Sequence, residues 1–126
     1  MKLRCTENSI RIRVRKSDLT QLEQQGEIVE SIQFPAGNQF SFALKIDSNT
    51  QITASFQNGL VSVSLPELIA RNWIETNEVS LETEQPLEQG TNLHLLIEKD
   101  FPCKDRPDED KSDTFQELAS ESNQVC

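Results

Sequence analysis

A chain of 126 residues is long enough to bury one ordinary hydrophobic core without help from disulfides or metals. Its formal charge of −9 argues against nucleic acid or an anionic membrane surface as the main partner, because polyphosphate and anionic lipid demand a surplus of cations. The apolar share of 35% is low for a globular protein, and part of the deficit lies beyond Phe101.

No apolar run approaches the roughly 18 residues needed to span a bilayer. The N-terminal stretch has charge but no hydrophobic segment of the secretory kind, so a cytoplasmic location is expected. Cys5, Cys103 and Cys126 are odd in number and widely spaced, which suits free thiols better than a disulfide framework. Charge is unevenly distributed. The first sixteen residues carry six cations, and the last twenty-nine carry nine acids.

In chain order, the dominant pattern is the period-two alternation of strands. Leu3 and Cys5 alternate with Lys2, Arg4 and Thr6; a turn at Glu7-Asn8-Ser9 follows; then Ile10, Ile12 and Val14 alternate with Arg11, Arg13 and Arg15. A short helix is predicted from Ser17 as N-cap, with Asp18 at the positive end of its dipole and Gly26 as its stop. Strands are predicted over 28–34 and 40–46, joined through Pro35-Ala36-Gly37-Asn38. A hairpin over 51–56 and 60–65 turns at Gln57-Asn58-Gly59, and Asn-Gly between alternating strands is the strongest hairpin signal in the chain. Pro66 opens a second helix, and strands over 78–84 and 92–99 complete the series.

Strand, strand, helix, strand, strand is thus written twice. Placing residue n over n+49 sets Leu3 on Ile52, Ile12 on Val61 and Leu19 on Leu68, which points to an internal duplication. The fold class expected is mainly β (α+β): about eight antiparallel strands whose twist curls them into a barrel-like sheet, with two short helices packed on it. The domain should span 1–101. Residues 102–126 are acidic and proline-punctuated and read as a partly disordered tail.

Arg4, Arg11, Arg13 and Arg15 are the candidate anion-binding residues. Guanidinium groups sharing one sheet face can grip phosphate or carboxylate through paired hydrogen bonds. The same arginines can instead be neutralised by carboxylates on adjacent strands or in the tail. Glu82, Glu84, Glu98 and Asp100 are the carboxylates that either answer those arginines or hold a hard divalent ion, magnesium or manganese. His94, the one histidine, reads as structural, and Trp73 as a core anchor. No catalytic motif of a nucleotide-binding, metalloprotease or serine-hydrolase kind is present, and no catalytic residue is assigned.

The opening Met1-Lys2-Leu3-Arg4, the stretch Asn8-Ser9-Ile10-Arg11-Ile12-Arg13, and the closing Glu98-Lys99-Asp100-Phe101-Pro102-Cys103 with its acidic sequel resemble a family of small uncharacterised bacterial proteins. That resemblance implies a bacterial cytosolic protein and carries no activity with it. The order of elements is also similar to the CYTH, or triphosphate tunnel, superfamily, with Ile10-Arg11-Ile12-Arg13 in the place of its arginine-bearing strand. The E-x-E-x-K of that group is absent from the first strand, and Glu82-x-Glu84 is the nearest fragment. Two functional expectations follow: a non-enzymatic module binding a small anionic ligand or a protein, or a tunnel-type phosphohydrolase acting on triphosphate with a divalent metal. On the first expectation the acidic tail covers the arginine face until a ligand displaces it.

Overall fold

Alternation of apolar and polar residues drives most of this chain into strands, and two glycine-stopped or proline-started segments break it into helices. The computed structural model describes residues 1–101 and 115–118. The strands β1 (Lys2–Thr6) and β2 (Ser9–Val14) lead into helix α1 (Lys16–Gln25), then β3 (Glu27–Gln33) and β4 (Gln39–Asp47). The second half repeats the order with β5 (Thr53–Gln57), β6 (Leu60–Pro66), α2 (Glu67–Glu75), β7 (Ser80–Pro86) and β8 (Asn92–Lys99). A short 3₁₀ turn covers Gln116–Leu118. The expected acidic tail over 102–114 and 119–126, with Cys103 and Cys126, lies outside the described residues. Cys5 is a free, exposed thiol. No helix among the described residues is long and apolar enough to cross a membrane.

The eight strands do not form the antiparallel barrel expected from the sequence. They form two four-stranded mixed sheets, ordered β1-β2-β8-β7 and β3-β4-β6-β5. Each sheet has two antiparallel hairpins on its flanks and a parallel pair at its centre, β2 with β8 and β4 with β6. Exchanging the two halves of the chain turns one strand order into the other. The correspondence places Lys2 over Thr53 and Lys16 over Glu67, and then Glu27 over Ser80 and Gln39 over Asn92. The spacing is therefore 51 and later 53 residues, not 49, so Leu3 matches Ala54 and Ile12 matches Val63. A two-residue slip leaves the alternation of faces unchanged, so apolar phase alone could not detect it.

One core lies between the sheets. Ile12 sits beside Ile97, and Val63 beside Leu44, in the two central parallel pairs. These four are at most 1% exposed, as are Val14, Leu65, Leu22 and Trp73. Leu22 on α1 and Trp73 on α2 occupy matching positions of the two halves and join this core at their helices' buried faces.

The sheet edges meet without a ladder. At one seam, the Gln85 amide on β7 accepts from the Ala54 N–H on β5 at 2.7 Å and donates to the Ala54 carbonyl at 3.2 Å. One side chain thus does there what a neighbouring strand would do for one residue. At the other seam, between β1 and β3, the Met1 ammonium lies 2.9 Å from Glu30 and 3.0 Å from Asp18. At the β5–β6 turn only glycine fits position 59: its φ is +75°, and an added Cβ would stand 2.8 Å from the Gln39 carbonyl oxygen.

Helix α1 begins two residues earlier than its sequence suggested, with Arg15 rather than Ser17 at the N-cap. The Asp18 carboxylate accepts the Arg15 backbone N–H at 2.8 Å, and the Arg15 guanidinium lies 3.5 Å from the same oxygen. Gly26 ends the helix at φ 77°, as expected. Burial pushes the Asp18 carboxyl up, but the Arg15 N–H, the Met1 ammonium and the Arg15 guanidinium outweigh it, and the net displacement is downward. A lowered folded-state value means the stabilisation is complete above the unfolded value of about 3.9 and is lost as pH falls through the folded one. Urea midpoints of the wild type should be level from pH 7 to 5 and decline below about 4. Asp18→Asn should start lower at neutral pH and decline less steeply; an unchanged acid slope would remove Asp18 from the account.

Candidate functional site

The outer face of the β1-β2-β8-β7 sheet carries the charged residues that the sequence singled out. In β1 and β2, Arg4 stands directly across from Arg11, and Lys2 from Arg13. Because side chains two apart on a strand share a face, all four cations project together. They line a groove of about 250 Å³. The parallel neighbour β8 then sets Glu98 beside Arg13.

Glu98 organises this face. Its Oε1 accepts from Arg11 Nε at 2.8 Å and from Arg13 Nε at 2.7 Å, and Arg11 Nη2 is 2.7 Å from the same oxygen. The carboxylate is only 6% exposed, so these contacts compensate an otherwise costly desolvation. Asp100 holds the outer end, 3.4 Å from Lys2 Nζ and 3.9 Å from Arg13 Nη1. Arg4 forms no ion pair among the described residues. Among the described residues four cations thus face two carboxylates, on a chain that is strongly negative overall.

Arg15 does not belong to this group. It lies past the end of β2, where the chain turns into α1, and its carboxylate is Asp18. Three of the four carboxylates considered for a metal are engaged by other partners. Glu98 and Asp100 answer the arginines and Lys2, while Glu82 is bonded to His94 Nε2. Among the described residues no group of three or more His, Cys, Asp or Glu is arranged to hold a metal ion.

Sequence reasoning missed one constellation. Ser9 and His94 are direct neighbours across the parallel β2–β8 pair, and Ser9 Oγ is 3.3 Å from His94 Nδ1. With Glu82 at Nε2, the ring is held from both sides. Only the parallel pairing, which local sequence does not encode, brings Ser9 and His94 together. β2 lies between two strands, so its backbone N–H groups are committed to ladders and provide no oxyanion hole. The arrangement orients an imidazole on the same sheet face as the arginines.

The model of a family of unknown function, DUF7009, matches residues 1–118. The chain belongs to that family. The match covers both sheets, both helices and every residue of the groove. Comparison with curated proteins and with solved structures finds no match, so the similarity to the CYTH superfamily gains no support from either.

Proposed function

We propose that this protein is a non-enzymatic binding module whose ligand is a small multivalent anion held on the outer face of β1 and β2. The observation that carries this reading is the pairing of Arg4 with Arg11 across the hairpin, in a groove that also holds Lys2 and Arg13. Glu98 fixes the Arg11 guanidinium through Nε and Nη2, an orientation that suits paired hydrogen bonds to phosphate or carboxylate. Arg4 supplies the charge that no carboxylate among the described residues answers. A tunnel phosphohydrolase is the weaker reading, since Glu98, Asp100 and Glu82 are engaged by cations or by His94, and the two sheets remain separate.

The acidic run Asp105, Asp108, Glu109, Asp110 and Asp113 is, by its charge, the internal competitor for these cations in this reading. Titration calorimetry with inorganic pyrophosphate at low salt tests both parts. Arg4→Gln and Arg11→Gln should each weaken binding about tenfold, the order expected for one charge-assisted contact. Replacing the five tail acids by their amides in the full chain should tighten binding. Affinity that ignores Arg4 and Arg11 would sink the site, and affinity that ignores the tail acids would sink the competition.

A further inference from the structure

A second surface, independent of the arginine groove, lies on the first turn of α2. Leu68 is 78% exposed and Ile69 is 37% exposed, unusual for adjacent large apolar residues at the start of a helix. They form the shared wall of two neighbouring grooves of about 430 and 450 Å³, one floored by Ile52 and Leu81, the other by Pro66. Neither groove is lined by a lysine or an arginine; the charged residues around them are Glu67, Glu78 and Glu82. Arg71 offsets Glu67 at 3.2 Å, and His94 is bonded to Glu82. The Glu78 carboxylate accepts from the neutral Asn72 amide at 2.9 Å and forms no ion pair among the described residues, so its charge stands uncompensated.

The other half of the chain shows that the fold does not require these apolar residues. Ser17 and Asp18 of α1 occupy the positions of Leu68 and Ile69, and Met1 occupies that of Ile52. There the place is filled: Met1 is 7% exposed, its side chain buried in the core and its ammonium on Asp18. An apolar side chain bearing a cation thus covers the start of α1, while the start of α2 is open.

We infer that the Leu68–Ile69 surface is a docking site for a segment of another protein that presents apolar side chains flanked by lysine or arginine. Charge complementarity selects this occupant. The chain's own residues beyond 101 carry seven acids against three cations and are repelled by the acidic rim. A second copy, at −9, is disfavoured in the same way.

Fluorescence anisotropy with a labelled amphipathic leucine/lysine peptide, and with its leucine/glutamate counterpart, tests this on the full chain at near-physiological salt. The lysine peptide should bind at least tenfold more tightly than the glutamate peptide. Leu68→Asp and Ile69→Asp should each weaken it tenfold or more. Phe56→Asp, at an exposed apolar residue that lines neither groove, should leave it within twofold. Urea midpoints close to wild type would establish that Leu68→Asp is folded. Equal loss in the Phe56 variant, or none in the Leu68 and Ile69 variants, would reduce binding to general acidity and overturn the site. A wild-type dimer in sedimentation that Leu68→Asp dissolves would make a second copy the occupant and overturn the inference as stated.

Discussion

Glu98→Ala should destabilise the protein by about 2–4 kcal/mol, read as a lower urea midpoint with an unchanged slope. The carboxylate gathers two guanidinium groups onto one oxygen, and its removal leaves them facing each other on a half-buried sheet surface. Breaking a fully buried pair from one side costs roughly 3–5 kcal/mol. Arg11 and Arg13 retain 23% and 17% exposure, so water relieves part of that cost and the expected loss is somewhat smaller. Two companion variants identify the cause. Arg13→Leu alone should lose less, because Arg11 still answers Glu98. Joining Arg13→Leu to Glu98→Ala should recover part of the Glu98 loss, since Arg11 then no longer faces a second guanidinium left without its carboxylate. Purely additive effects in this cycle would mean that the contacts contribute nothing beyond packing.

Trp73→Ala should cost about 3–5 kcal/mol, the range of large aromatic truncations in a closed core. The ring is fully buried where α2 meets the sheets, its Nε1 donates to the Val79 carbonyl at 3.1 Å, and Lys99 Nζ lies 5.8 Å from the ring centroid. Trp73→Phe separates shape from polarity. It retains most of the apolar volume and loses the indole hydrogen bond, although the Val79 carbonyl still receives the Lys99 N–H at 2.9 Å. Its expected cost is about 1–2 kcal/mol. Circular dichroism is the suitable readout, because Trp73 is the chain's single tryptophan and each variant removes the fluorophore. A loss below 1 kcal/mol for the alanine variant would place the centre of the core elsewhere.

The strands were legible in the sequence because alternation is a local property. Asn58-Gly59 located one hairpin turn, and the predicted strand over 92–99 coincides with β8. What alternation reports is which face of a strand is buried, not which strand lies beside it. Pairing β2 with β8 joins segments more than eighty residues apart, and nothing in either segment announces the other. The mixed sheets replaced the expected barrel for that reason. The candidate site was affected likewise. Arg4, Arg11 and Arg13 were placed on one face by their spacing, whereas Arg15 continued the alternation on paper but fell at a helix start. Glu98 stood among four acids, and only its neighbour β8–β2 register made it the residue that binds two arginines. Ser9 beside His94 arose from the same register.

The interleaved strand order has a consequence for how the protein emerges from the ribosome. Every strand of the sheet β3-β4-β6-β5 has been synthesised by Pro66, so that sheet can close while the rest is still being made. The hairpin β1–β2, translated before the other described strands, must wait for β8, translated after them. At about 5–20 residues per second its apolar side stays unshielded for several seconds. The first hairpin of the described fold is thus the last to find its partner, and that interval is when a chaperone would be needed most.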